Sequence, residues 1–411
     1  KHFSPLEARE IEVLDFPQIP DNVIVLGTEY PDSEVLVTIP FDKEKRITIV
    51  IIGDNGSGKS ILAKFIVVDQ LHGRFKRPLA IIDPKLDLQT ILQKLNNKKL
   101  IQKLNFFGFR PKSYPYAKFI SPGALKIQGA ITPENERYQM SLTMLNNIIE
   151  KSPTIGLSEV YKLFNTQQGE ASARELQTIF LSSHPRNINE LETEIYSIQP
   201  KPPPTLESQF KLLKLSNILG DKGINYAELL MKHKILVLEM QVSSKSENTL
   251  QDIYADNFIT SLIQDRSLSV SSNNLQGSID RPFTVFMDEG SVFAGKDKQT
   301  SEIMQMITTK YREFSPAKKA LGIKTYGCDS IIVSQHLHEL DDILIKEADW
   351  VIHAKISDDK DADKLQLRGL YADDIREARF LDYEDHPKQF QAVGKQGEKI
   401  KFYPLPTLSY M

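Results

Sequence analysis

The residues Gly53-Asp54-Asn55-Gly56-Ser57-Gly58-Lys59-Ser60 fit the spacing G-x-x-x-x-G-K-[ST]. The chemistry open to such a set is to wrap a polyphosphate. Glycines let the backbone turn tightly enough for successive N–H groups to face phosphate oxygens, and the helix that follows adds a favourable dipole. Lys59 supplies a charge for the β- and γ-phosphates, and the Ser60 hydroxyl a ligand for Mg²⁺. Gly53, Asn55, Gly56, Ser57, Gly58, Lys59, Ser60 and Ile61 are the expected nucleotide contacts, with ATP and Mg²⁺ as the expected cofactors.

A second set lies far downstream. Phe283-Thr284-Val285-Phe286-Met287-Asp288-Glu289 is an apolar run ending in two acids. Alone, this is a strand meeting a turn. Coupled to the glycine loop, it makes Asp288 the second holder of Mg²⁺ or its water, and Glu289 the group that orients and polarises the attacking water. Ser330-Ile331-Ile332-Val333-Ser334-Gln335 repeats the pattern with a neutral polar end. If that strand lies between the other two, Gln335 faces the γ-phosphate and can report whether ATP or ADP is bound; otherwise it is a turn glutamine. Arg312, at the end of the intervening helix, is the candidate cation for a neighbouring subunit's γ-phosphate. Lys318 and Lys319 are substitutes or DNA contacts, and all three also read as solvated helix charges. No metal is expected at His336 and His338, since no third ligand lies near them in sequence.

The elements that must position these groups follow from hydrophobic pattern. Ile47 to Ile52 reads as a buried strand entering the loop, and Ser60 to Leu71 as a helix with Ile61, Leu62, Phe65 and Ile66 on one face and Gly73 just past its end. Val23 to Leu26 and Glu34 to Ile39 read as two short strands forming a small β cover. In Pro78 to Leu88 the apolar run ends in Asp83, as a central parallel strand would at its carboxyl end, and that acid either lies near the nucleotide or caps a helix or turn. Ile235 to Leu238 is a buried strand, Leu250 to Gln264 an amphipathic helix, and Gln389 to Val393 with Glu398 to Tyr403 a hairpin. The expected fold is α/β: a P-loop NTPase of the RecA-like (ASCE) type, a mostly parallel sheet flanked by helices, with a helical insertion and a small N-terminal β element. Its expected division is 1–45 as the β cover, 46–90 with 230–360 as the ATPase core, 91–229 as the insertion, and 361–411 as a charged tail with a hairpin.

Composition narrows the setting. The chain has 411 residues, 40% hydrophobic and 26% charged, enough for a sizeable core. A net charge of −3 gives no global attraction to nucleic acid, so any such site must be local. Leu88 to Pro133 carries lysines and arginine interleaved with Phe106, Phe107, Phe109, Tyr114 and Tyr116, and no acid. That suits phosphate contact with base stacking, or equally a solvated helix followed by a loop with core aromatics. The lone Cys328 excludes an internal disulfide. The absence of an apolar run near spanning length and of a leader pattern predicts no membrane insertion and a cytoplasmic setting. An ABC-type ATPase is disfavoured by the missing Leu-Ser-Gly-Gly-Gln signature, a regulatory GTPase by the missing Asn-Lys-x-Asp motif.

The order of these elements resembles the HerA/FtsK superfamily of ring-forming DNA-pumping ATPases, closest to its HerA-like branch and the related conjugation and secretion ATPases. The resemblance rests on Leu26-Gly27, Gly53 to Ser60, Asp83-Pro84-Lys85-Leu86-Asp87, Asp288-Glu289, Arg312, Ser334-Gln335 and the strand Trp350 to Lys355 near Asp361. It implies a homohexamer with ATP at subunit interfaces and DNA in a central channel, and a partner that is a nuclease, a channel or a capsid. The other reading is an ATPase that powers conjugation, protein secretion, pilus assembly or virus genome packaging.

Overall fold

The computed structural model describes residues 19–29, 35–42, 46–86, 118–120, 226–240, 283–295, 328–370 and 389–405, with isolated helical positions between them. Among these, strands β1 (Val23–Thr28), β2 (Leu36–Pro40), β3 (Thr48–Ile52), β4 (Leu79–Asp83), β5 (Lys118–Ile120), β6 (Ile235–Glu239), β7 (Phe283–Met287), β8 (Cys328–Ser334), β9 (Trp350–His353), β10 (Phe390–Gly394) and β11 (Lys399–Pro404) form one eleven-stranded sheet. Its order is β2-β1-β11-β10-β9-β3-β8-β7-β4-β6-β5. The run from β9 to β5 is parallel throughout. The strands β10, β11, β1 and β2 are each antiparallel to the neighbour before them.

The central strands are runs of Ile, Val, Leu and Phe because both faces are covered, the condition under which parallel sheets form. Their side chains alternate between two cores. Ile49 and Ile51 join Leu62, Phe65 and Ile66 on one face, while Val50 and Ile52 join Phe258, Leu344 and Ile345 on the other. Burying each such side chain contributes roughly 1.5–3 kcal/mol, so both layers pin the sheet. The helix predicted over Leu250 to Gln264 is helical at Ala255, Phe258, Ile259 and Leu262, and Phe258 meets Tyr226 of helix α2 (Tyr226–His233) edge to face.

One expectation is corrected. Helix α1 (Lys59–Phe65) continues as a π-helical stretch, Ile66–Arg74, that passes through Gly73 instead of stopping before it. It is buried all round from Leu62 to His72, not on one face, because β1 covers the side away from the central strands. Gln70 fixes that contact: its amide exchanges two 2.7 Å bonds with the backbone N–H and C=O of Val25. The terminal strands join the same sheet. β10 pairs with β9, and β11 pairs with both β10 and β1. The two ends of the chain thus extend the core sheet together.

Candidate nucleotide site

The register of the parallel strands sets the site. β8 lies between β3 and β7, with Ile52 opposite Ser334 and Met287 opposite Ile332. Gly53, Gln335 and the pair Asp288-Glu289 therefore leave the sheet along one edge, the carboxyl ends of three adjacent strands, where open α/β sheets take their ligands. The condition set for Gln335 by the sequence is met, and it is half-buried at that edge.

The loop uses the backbone freedom that its glycines supply. Gly56 and Gly58 sit at φ 80 and 87, and Gly58 caps α1, its carbonyl accepting from the Leu62 N–H at 3.0 Å. Ser57 donates its N–H to the Asp54 carbonyl at 3.2 Å. The Lys59 ammonium, buried to 5% exposure, donates to the same carbonyl at 3.4 Å. Burial lowers the Lys59 pKa, with the charge of Lys85 acting in the same direction, against Glu289, Asp288 and Asp54. The Asp54 carboxylate accepts from the Ser357 hydroxyl at 2.9 Å, tying the loop to the segment after β9.

Asp288 is buried and shared. Its Oδ1 accepts from the Ser60 hydroxyl at 3.5 Å and from the Glu289 N–H at 3.1 Å, and its Oδ2 lies 3.1 Å from the Lys64 ammonium. Lys64 stands one helical turn beyond Ser60, on the same face. Glu289 holds φ 56 and ψ 52 and opens the short helix α3 (Gly290–Ala294). A Cβ on Gly290 would lie 2.4 Å from Ile332 Cγ2, so only glycine lets this corner close against β8. The Glu289 carboxylate is ion-paired with Lys85, from the turn after β4. Asp83 takes the second of its two expected roles: its Oδ2 accepts from the Leu88 N–H at 3.0 Å, closing that turn.

The residues present fit a magnesium nucleotide. The Ser57 hydroxyl is buried inside the loop with no hydrogen-bond partner, Lys59 is held beside it, and a hydroxyl and a carboxylate face each other at Ser60 and Asp288. Ser60 and Asp288 would hold the Mg²⁺.

Two protein structures share this architecture. VirB4 of Thermoanaerobacter pseudethanolicus superposes with a TM-score of 0.55 at 16% identity, over 94% of this chain and 97% of that one. The bacterial conjugative coupling protein TrwB, lacking its first 70 residues, superposes with a TM-score of 0.50 at 12% identity, over 95% and 90%. The chain shares the α/β P-loop fold of these two proteins. No family model and no curated protein sequence matches it, so the likeness is one of fold.

At this site, sequence reasoning missed Lys64 and any role for Lys85. The spacing of Lys64 from Ser60 carried a signal, since one turn separates them on a helix; nothing in the sequence pairs Lys85 with Glu289. The third group near the histidines was also missed. Asp361, at the start of helix α5 (Asp359–Leu365; α4 is Asp342–Glu347), accepts from His336 Nδ1 at 3.0 Å, from His338 Nδ1 at 2.7 Å and from the His338 N–H at 2.8 Å. Arg312, Lys318, Lys319 and nearly all of the basic aromatic stretch lie outside the described residues. A cavity of about 720 Å³, lined by Phe41, Arg46, Asp349 and Trp350 among others, opens at the amino ends of β3 and β9, opposite the site. Among the described residues no helix is long and apolar enough to cross a membrane.

Proposed function

We propose that this chain is a Mg²⁺-dependent ATPase whose turnover drives DNA through a homohexameric ring. The observation that carries the reading is the meeting of the glycine loop with the acids of β7: Ser60 faces Asp288 at 3.5 Å, with Lys59 and Glu289 beside them. Lys59 neutralises the β- and γ-phosphates. Glu289 takes the proton side of the attacking water, and Gln335 reads the γ-phosphate from the strand between. Asp288 and Ser60 would hold Mg²⁺, whose charge would offset that of the phosphate oxygens. Arg312 supplies the cation for the neighbouring subunit's nucleotide. DNA as the cargo is supported by the acid-free basic stretch with its aromatics and by the fold shared with a conjugative coupling protein. The shared fold with VirB4 supports a second reading, a motor of a conjugation or secretion apparatus that never grips DNA, and virus genome packaging is a further setting for the first. A nuclease, a channel or a capsid would be the partner.

The test is the ATPase rate with and without linear duplex DNA, alongside Glu289→Gln. Stimulation by DNA that the variant abolishes is the expected result. A rate indifferent to DNA that still needs Glu289 moves the assignment to the secretion or assembly motor. Full activity in Glu289→Gln overturns the site.

A further inference from the structure

Each acid of the β7 corner has a lysine. Asp288 is held by Lys64, which is fully buried, and that pair is locked into the fold. Glu289 is held by Lys85, and that pair is built differently. The Lys85 side chain is 37% exposed against 16% for Glu289, so the ammonium has solvent and room on its outer side. Its turn is anchored behind it, where the Asp83 carbonyl accepts from the Met240 N–H at 3.2 Å and the Asp83 carboxylate from Leu88. Among the described residues, no backbone hydrogen bond holds Lys85 or Leu86 at the tip in that way. Leu86, next to Lys85, stands at φ 56 and is 42% exposed, and Glu289 itself stands at φ 56. Left-handed backbone at a leucine and a glutamate is uncommon, and strain of this kind collects where a segment switches.

Charge arithmetic gives the switch its direction. Lys85 interacts with both Lys59 and Lys64; Lys59 and Lys85 each interact with Asp288 and Glu289, and Lys64 with Asp288. A magnesium nucleotide with a γ-phosphate adds net negative charge among them, and ADP adds less. Lys59 is enclosed and Lys64 is committed to Asp288, which leaves Lys85 as the described cation free to change partner. While Lys85 holds it, the Glu289 carboxylate has an oxygen occupied by an ammonium and is poorly placed to accept from water.

We propose that Lys85 is a positioning residue for Glu289: it holds the carboxylate while no γ-phosphate is present, and the γ-phosphate of ATP draws the ammonium away, freeing Glu289 to face the attacking water. This rests on the ATPase reading above. Burial works to lower the Lys85 pKa, but its hydrogen bond to Glu289 and the charges of Asp288 and Glu289 outweigh it, so the ammonium is charged while it holds Glu289.

The experiment is equilibrium binding of ADP and of a non-hydrolysable ATP analogue, both with Mg²⁺, to the wild type, Lys85→Met, Glu289→Gln and the double variant. Lys85→Met is expected to lose about tenfold in affinity for the analogue, the size of a hydrogen bond to a charged group, and about twofold or less for ADP. Glu289→Gln, which gives up the competing carboxylate, is expected to gain about threefold or more for the analogue, and to gain nothing once Lys85 is Met. Equal losses for both nucleotides in Lys85→Met, or the same effect of Glu289→Gln in both backgrounds, overturns the exchange. Lys85→Gln repeats the test should the Met variant fold poorly. A wild type that binds neither nucleotide overturns the ATPase reading itself, a result distinct from failure of the exchange.

Discussion

The two ends of the parallel strands carry the same chemistry and use it oppositely. At the amino ends, Asp329 of β8 is wholly buried. Its Oδ1 accepts from the Ile47 N–H at 2.9 Å, and its Oδ2 from the Thr284 hydroxyl at 3.2 Å and from the Arg77 guanidinium. Arg77, 2% exposed, donates also to the Asp42 carbonyl and stacks over the Phe41 ring at 4.5 Å. One carboxylate thus joins the segments entering β3, β4, β7 and β8. At the carboxyl ends, Asp288 and Glu289 meet lysines, the Ser57 hydroxyl has no partner, and the outer pair is partly open to solvent. A charge whose every lone pair is satisfied within the fold is structural. One held by a single flexible cation leaves room for a ligand.

The sharpest way to break that comparison is to remove one acid from each end. Asp329→Ala takes a buried carboxylate from the Arg77 guanidinium and is expected to cost about 3–5 kcal/mol, read as a lowered urea midpoint. Glu289→Gln is expected to change stability by less than about 1 kcal/mol, since its partner is solvated, yet to lower ATP turnover roughly 10²–10⁴-fold. An Asp329→Ala protein as stable as the wild type, or a Glu289→Gln protein that unfolds like it, would erase the distinction.

The same division explains what was legible in the sequence. The central strands were, because runs such as Ile49 to Ile52 have no other way to bury both faces. So was the loop from Gly53 to Ser60, whose function depends on neighbours in the chain. Sheet order was not: Ile331 to Val333 would look the same at any interior position, and only pairing with β3 and β7 puts Gln335 at the site. The far end of α1 was misread because Gly73 is a stop signal only when the helix end is free. Here Gln70 binds β1, and the chain continues to Arg74. Partners that meet across tens or hundreds of residues, as Lys85 with Glu289, Asp361 with His338 or Arg77 with Asp329, carry no local signal at all. Arg368 is another. Its guanidinium donates to the carbonyls of Ile345, Lys346, Ala348, Asp349 and Val393, capping α4 against β10, and in sequence it is only one more basic residue.

A buried charge can also be avoided by never forming, and His353 sharpens the comparison in that way. It ends β9, opposite Ile52 and one residue from the Ala354 methyl that crowds Gly53. Burial lowers its pKa to about 4, against smaller opposing contributions from the Ala354 carbonyl, which accepts from Nδ1, and from Gln391. The folded ring therefore stays neutral where the unfolded chain, near 6.5, already takes a proton. Between those two values the unfolded state binds more protons, so stability falls as pH drops through that window, by roughly 3 kcal/mol in all. Urea midpoints at pH 7.5 and pH 4.5 should show the loss, and His353→Leu should remove that share of it. A variant with the same pH dependence as the wild type would place the titration elsewhere.

The smallest effect is expected where charge is neither buried nor bound. Lys395 donates to Glu347 at 2.6 Å, a shorter contact than that of Lys64 with Asp288, but its side chain is 42% exposed and that of Glu347 38%. Water competes for both ions, salt screens them, and ordering two long side chains offsets the gain. Lys395→Ala should therefore shift the urea midpoint by less than about 1 kcal/mol. Lys64→Met should cost several times that, since it leaves Asp288 buried without its cation. If the two substitutions cost the same, distance and not burial would set the worth of an ion pair in this fold, and the contrast between the two ends of the sheet would have to be drawn from geometry alone.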